Sequence, residues 1–261
     1  MEKFKELIGI LYEKVMVFPH GIALTQTIGL LKKYNFLATV NAGNVPLDSE
    51  ESEDSMFRSR PITTKFEKFP SLNRYYPSRM RDNIAIDLFL DNPLLFFTHH
   101  DFFEDSIDAF NKTAEIVNDI QPDVIWESLG YICQYFYLEK LRDDGNYDIK
   151  SFTSNFIIEN TNERDLTYFV QKEESFSIPI RQVTVDGDQY SYKKSDGNLL
   201  LKISIPAGES RHIVIDYENE LDLSMIDISK NDPQVNRLRK ISDFRDMTLS
   251  RSVLGRSFIR V

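Results

Sequence analysis

Val15-Met16-Val17-Phe18 is a short apolar run stopped by Pro19-His20-Gly21, and Phe36-Leu37-Ala38-Thr39-Val40 is a second one that stops at Asn41-Ala42-Gly43-Asn44. Between them, residues 24–34 carry Leu24, Thr27, Ile28 and Leu31 in helical register. Strand, helix, strand in so short a stretch is a βαβ unit: two parallel strands need a crossover, and that crossover is right-handed in nearly all cases. The N-terminal part therefore reads as α/β, a parallel sheet or part of a (β/α) barrel.

Outward from this unit the periodicity changes several times. Residues 2–14 read as a helix with Phe4, Leu7, Ile8 and Leu11 on one face. Residues 46–82 begin with an acidic run (Asp48, Glu50, Glu51, Glu53, Asp54) and continue past Pro61, Pro70 and Pro77. That composition predicts a long irregular excursion, of the kind that serves either as a lid or partner surface or as a solvated loop. A short helix is predicted at 83–90, a buried strand at Leu94-Leu95-Phe96-Phe97-Thr98, a helix over 104–120, a strand at Val124-Ile125-Trp126 and a helix over 127–141.

At Arg142-Asp143-Asp144-Gly145-Asn146 the helical period gives way to alternation. Runs near 151–159, 165–172, 178–185, 189–193, 198–205 and 211–217 are separated by turn residues such as Asp186-Gly187 and Asp196-Gly197. Short strands at this spacing predict an antiparallel β-sandwich. Residues 235–251 read as a helix rich in Arg and Asp that packs on the body. The organisation expected is thus an α/β part over 1–148, a sandwich over 149–230, and a C-terminal helix and tail over 231–261.

Composition narrows the function classes. A net charge of −10 over 261 residues argues against a nucleic-acid partner and against adhesion to anionic lipid. No apolar run approaches the roughly 18 residues that a membrane-spanning helix needs. Met1-Glu2-Lys3-Phe4-Lys5-Glu6 leads into an amphipathic segment rather than the apolar stretch of a signal peptide. The single cysteine, Cys133, excludes an internal disulfide and a thiolate zinc cluster, and its apolar neighbours predict a buried structural thiol. Aromatic residues make up 12% of the chain, a content that fits either large core side chains or a sugar-binding surface.

Chemistry is expected at the carboxyl ends of the predicted parallel strands, where α/β proteins hold their ligands. His20 ends the first strand, Asn41 and Asn44 end the second, and His99, His100 and Asp101 follow the strand at 94–98. Imidazole, carboxylate and amide groups together suit a polar ligand or a divalent metal. Adjacent residues of an extended chain point to opposite faces, so only one of His99 and His100 faces any one site. Trp126, the only indole, ends another predicted strand and counts among the ligand-binding candidates, whereas His212 lies within a sandwich strand and reads as structural. HExxH, GxSxG, P-loop and GxGxxG motifs are all absent from the sequence, so nothing in it supports zincin, serine-hydrolase or nucleotide-binding chemistry.

Residues 15–140 resemble polysaccharide deacetylases, the chitooligosaccharide-deacetylase homology domain of the wider glycoside hydrolase/deacetylase barrels. That family opens with strand, TFDDG, helix and "LKKYxxxATFF". Here Val17-Phe18-Pro19-His20-Gly21 stands at TFDDG, and Leu31-Lys32-Lys33-Tyr34-Asn35-Phe36-Leu37-Ala38-Thr39-Val40 follows the second half. Phe96-Phe97-Thr98-His99-His100-Asp101 is similar to the family's late "LLHD" strand end, and Arg60-Pro61 to its "RxP" motif. The resemblance implies a carbohydrate-related barrel, a catalytic role for His99, His100 and Asp101, and ligand binding by His20, Asn41, Asn44 and Arg60. Zinc is the cofactor it implies, with His20 as the candidate ligand. The usual ligands are missing, because Pro19 and His20 replace the two aspartates and the HxxxH motif has no counterpart. The chain is expected to be the C-terminal part of a longer protein whose further strands complete the barrel. Three functions fit: a carbohydrate-active hydrolase of deacetylase or glycosidase type, a non-catalytic glycan- or protein-binding module of a surface-polysaccharide system, and a structural module of such an assembly.

Overall fold

The computed structural model describes residues 9, 12–18, 23–41, 62–64, 66–77, 81–104, 106–218, 237, 240 and 241. Within them the βαβ unit forms as its spacing predicts. β1 (Val15–Met16) and β2 (Ala38–Asn41) pair in parallel around α1 (Thr25–Lys33). Lys32 and Lys33 in the last turn of α1 complement the negative end of its dipole. The helix ends in a Schellman motif: Asn35 N–H donates to Lys32 O and Phe36 N–H to Leu31 O, each at 3.0 Å. Asn35 takes the left-handed conformation (φ 54°) that closes this motif, and Phe36 packs with Leu31 in one apolar cluster.

The segment at 46–82 departs from its predicted irregularity. β3 (Ile62–Thr63) and β4 (Ser71–Asn73) lie within it, and β4 is the third parallel strand, paired with β2 from Thr39↔Ser71 to Asn41↔Asn73. β3 pairs antiparallel with β4, giving the order β1-β2-β4-β3. Flanking prolines hide β4 from periodicity, since only Leu72 of its three residues is aliphatic. The predicted strand at 94–98 is extended but joins the array by a single parallel bridge, Tyr75↔Phe96. Val124–Trp126 forms no strand; Ile125 is 77% exposed, so nothing buries it against a sheet. Tyr12–Lys14 are not helical, and the rest of the helix predicted at 2–14 lies outside the described residues, Gly9 apart.

Helices cover both faces of this small sheet. Ala38, Val40 and Leu72 pack against α4 (Leu129–Tyr135) through Leu129, Ile132 and Cys133. Phe18, Ile28, Leu31, Phe36 and Phe69 form the cluster on the α1 side. α2 (Arg81–Phe89) and α3 (Ala109–Ile120) pack together through Ile84, Leu88 and Val117, with Tyr75 and Phe96 against them. No closed barrel forms among the described residues; the parallel set comprises β1, β2, β4 and the bridge at Phe96.

The helix predicted over 127–141 stops at Tyr135, and Tyr137–Leu141 is β5. β5 pairs antiparallel with β6 (Tyr147–Ser151) across the Arg142–Asn146 turn, so hairpin pairing overrides the local helical spacing. The remaining strands are β7 (Asn155–Glu159), β8 (Leu166–Glu173), β9 (Ile180–Val185), β10 (Asp188–Gln189), β11 (Lys193–Ser195), β12 (Asn198–Ile205) and β13 (Ser210–Tyr217). They form two sheets, β11-β12-β8-β6-β5 and β10-β9-β13-β7. Asp186-Gly187 and Asp196-Gly197 turn the β9–β10 and β11–β12 hairpins with positive φ at both residues, as type I′ turns demand.

The second sheet is antiparallel throughout, but the first is mixed, because β6 and β8 run parallel. The strand between them, β7, lies in the other sheet, so the chain returns in its original direction. Phe156, Ile158, Val185, Ile213 and Ile215 of one sheet meet Ile149, Val170, Leu199, Leu201 and Ile203 of the other in a single core. Each such fully enclosed side chain contributes roughly 1.5–3 kcal/mol. The chain divides into two compact units, Met1–Asn219 and Glu220–Val261. Of the second unit the described residues are Arg237, Lys240 and Ile241, all helical; the rest of the helix predicted at 235–251 lies outside them.

Candidate functional site

At the carboxyl end of β2, Asn41 is buried and its Nδ2 donates a long 3.4 Å hydrogen bond to Ser71 Oγ. Its Oδ1 and the Oγ1 of Thr39 are buried without hydrogen-bond partners among the described residues. Unpaired buried acceptors are uncommon, and each carries a desolvation penalty of about 1–3 kcal/mol.

The backbone ladder runs one residue past β4, with Arg74 N–H donating to Asn41 O at 3.1 Å. Extended backbone alternates its side chains, so Arg74 points to the face opposite Asn41, Asn73 and Tyr75. There its guanidinium lies 4.7 Å from the ring centroid of Phe97. Tyr76 meets Phe97 and Phe102 edge to face at 5.8 and 5.5 Å, and the exposed His99 ring meets Phe97 at 5.9 Å. Arg74, Tyr76, Phe97, Phe102 and His99 thus form one aromatic and cationic group at the strand ends. Burial holds the Arg74 guanidinium below its usual pKa. Tyr75, on the other face, donates to Asp87 Oδ2 at 3.0 Å while Asn92 donates to Asp87 Oδ1 at 3.0 Å, which occupies both oxygens of that carboxylate.

Asn41 and His99 are therefore linked through Arg74 and Phe97, with the Asn41 side chain on the other face of the sheet. His100 and Asp101 begin a 3-10 turn, His100–Phe103, of which the backbone is described at these two positions. His20, Asn44 and Arg60 lie outside the described residues. Trp126 is 48% exposed, and its Nε1 donates to Asn118 Oδ1 at 2.9 Å, so it braces the loop after α3. His212 is half-buried with Nε2 2.7 Å from Asn155 Oδ1, a structural contact. Cys133 is buried, and burial followed by the charge of Glu13 pushes its thiol up to about 12, as befits an inert core residue.

A catalytic zinc takes three protein ligands and keeps a fourth position open. Among the described residues no three His, Cys, Asp or Glu side chains come together in a way that could hold a metal ion. The described part of the site does not fit zinc, and no step is derived through a metal.

The densest group of ionisable side chains lies elsewhere, between α1 and the sandwich. Glu174 Oε2 accepts from Lys32 Nζ at 2.5 Å, and its Oε1 accepts from Tyr217 OH at 2.5 Å and from Lys172 Nζ. Lys32 also donates to Glu67 O at 2.9 Å and sits 5.0 Å from the Tyr217 ring centroid. All four side chains are at most 2% exposed. Burial alone would raise the Glu174 pKa, but the two ammonium groups outweigh it and hold the carboxyl below its usual range. Burial lowers Lys172, and burial with Glu174 raises Tyr217. Closed off from solvent, this knot ties α1 to β8 and β13 rather than acting on a substrate.

Two shallow surface depressions, of about 320 and 300 Å³, lie along β5 and β6. Arg142 and Asp148 line the first and Phe169 borders the second, its ring between the Arg142 guanidinium at 4.3 Å and Lys202 Nζ at 5.7 Å. Arg142 pairs with Asp148 at 2.6 Å and Lys150 with Glu173 at 3.1 Å, the pattern of a solvated sheet face.

No known protein family, curated protein or solved structure matches the chain.

Proposed function

We propose that this chain is a carbohydrate-recognising relative of the polysaccharide deacetylases, holding glycan at the strand ends and contributing little or no hydrolysis of its own. The observation that carries the reading is the group Arg74–Tyr76–Phe97–His99–Phe102. Aromatic edges beside a guanidinium and an imidazole offer a sugar ring both an apolar surface and hydrogen-bonding groups. The group stands where parallel sheets hold ligands, and the "LLHD"-like segment supplies two of its five residues, Phe97 and His99.

Binding is favoured over turnover by the donor set. Deacetylation needs a carboxylate base beside a metal-activated water, and Pro19 stands where the family has the first aspartate. His99 is the one imidazole described at these strand ends, and as an exposed group it suits ligand contact. The hydrolase reading keeps a clear test: the chain is incubated with acetylated chito- and xylo-oligosaccharides plus zinc, cobalt or manganese, and acetate release is measured alongside binding. Binding without acetate release is the result expected. Metal-dependent acetate release abolished by His99→Ala would overturn the reading and restore a deacetylase.

A further inference from the structure

We propose that the glycan held at the strand ends is acidic, with Arg74 receiving the carboxylate of a uronic-acid residue. This rests on the carbohydrate reading above and names the class of sugar within it. Arg74 is half-buried, its Nε is buried with no hydrogen-bond partner among the described residues, and its guanidinium lies over Phe97, 4.7 Å from the ring centroid. Among the described residues no carboxylate forms an ion pair with it, although two other partly buried arginines are paired, Arg142 with Asp148 and Arg211 with Glu209. A cation withdrawn from water is ordinarily matched by an anion, since leaving it unmatched is destabilising.

The chemistry of the guanidinium selects the anion. Its planar fork binds a carboxylate through two parallel hydrogen bonds, and its seat over Phe97 holds the head group in place. Tyr76 meets both Phe97 and Phe102 edge to face, and these rings offer the apolar surface against which a pyranose packs. In a chain of net charge −10, a free polyanion is repelled at long range, so its recognition depends on a local cation such as Arg74.

The test is calorimetric titration of the purified chain with four probes: tetragalacturonate, its methyl ester, chitotetraose and a sulfated tetrasaccharide. The inference expects tetragalacturonate to bind about tenfold or more tightly than its ester, the scale of one charge-assisted hydrogen-bonded pair. Arg74→Gln weakens acid binding about tenfold or more beyond whatever it costs the ester, so that the difference closes, and Arg74→Lys retains part of it. Equal binding of acid and ester, or a difference that survives Arg74→Gln, overturns the inference. Equal affinity for the sulfated probe overturns the choice of carboxylate. Binding of chitotetraose or the ester but not of the acid sinks this inference and leaves the carbohydrate reading standing, whereas no binding of any probe sinks both. Should Arg74→Gln fail to fold, the acid–ester comparison on the unaltered chain still decides.

Discussion

Glu174→Gln keeps the shape of the side chain and removes only its charge, so it isolates what the buried knot does for the fold. In the native protein this one carboxylate faces two ammonium groups and a phenol. The amide leaves Lys32 and Lys172 as like charges, both buried, with no counter-ion within the knot. Removing one partner of a buried ion pair costs about 3–5 kcal/mol, and two stranded cations place Glu174→Gln toward the upper end. For a unit of this size that corresponds to a fall in Tm of roughly 6–20 °C. Lys32→Met is expected to cost less, about 1–2 kcal/mol, because Lys172 and Glu174 then balance one for one and the losses are the hydrogen bonds to Glu174 Oε2 and Glu67 O. Replacing Lys32 and Lys172 by Met together with Glu174→Gln should recover most of the loss, since apolar substitutes for a buried ionic group are often neutral. The assay is urea and thermal denaturation followed by circular dichroism. Glu174→Gln within about 0.5 kcal/mol of wild type, the scale of an ordinary surface change, or Lys32→Met proving the costlier change, would refute the charge-balance argument.

The knot also sets pH dependence. The folded pKa of Glu174 is depressed, so its stabilisation is complete above the unfolded carboxyl value of about 4.3 and is lost as pH falls through the folded value; Glu174→Gln should flatten the acid limb of the stability curve. Tyr217 has a raised folded pKa, so its contribution is complete below about 10 and fades as pH climbs above that, and Tyr217→Phe should flatten the alkaline limb instead. At Gly130 a Cβ would stand 2.8 Å from Glu13 Oε1, whose neighbour Oε2 accepts from Gly130 N–H at 2.7 Å. Gly130→Ala should therefore push the exposed Glu13 carboxylate aside, and the lost hydrogen bond should offset the helix-propensity gain of about 1 kcal/mol; in a Glu13→Ala background the same change should be plainly stabilising, and equal effects in both backgrounds in a denaturation cycle would contradict the contact. Cys133 should resist alkylation at pH 8 in the native chain and react within minutes in denaturant; rapid native labelling by mass spectrometry would show the α4 face of the sheet to be open.

The βαβ unit was legible because its signals are clean: apolar runs on either side that stop at Pro19-His20-Gly21 and Asn41-Ala42-Gly43-Asn44, and Leu24, Thr27, Ile28 and Leu31 in helical register between them. The sandwich was legible from alternation and from Asp-Gly turns that only a hairpin needs. Alternation does not say which of two sheets a strand joins, so the parallel β6–β8 pair was hidden. β5 reads as helix because the helical spacing of Leu129, Ile132, Cys133 and Phe136 was carried on into it, and its true partner lies beyond a turn. β4 contributes too few residues to show any period. Arg74 escaped notice for the same reason, lying in the proline-rich stretch rather than after a predicted strand. Lys172 left a signal that could have been used: it occupies an inward position in the series Leu166, Tyr168, Val170, Lys172, Glu174, where a charge implies a buried partner.

Hydrogen–deuterium exchange on the purified chain, with and without saturating oligosaccharide, tests the placement of the site most directly. The account predicts new protection in the peptides covering Leu72–Pro77 and Leu95–Phe103, which hold Arg74, Tyr76, Phe97, His99 and Phe102, with β5 and β6 unchanged. Protection confined to Leu138–Lys150 and Phe169, along the outer sheet face, would contradict it, as would no protection with any acidic or neutral glycan.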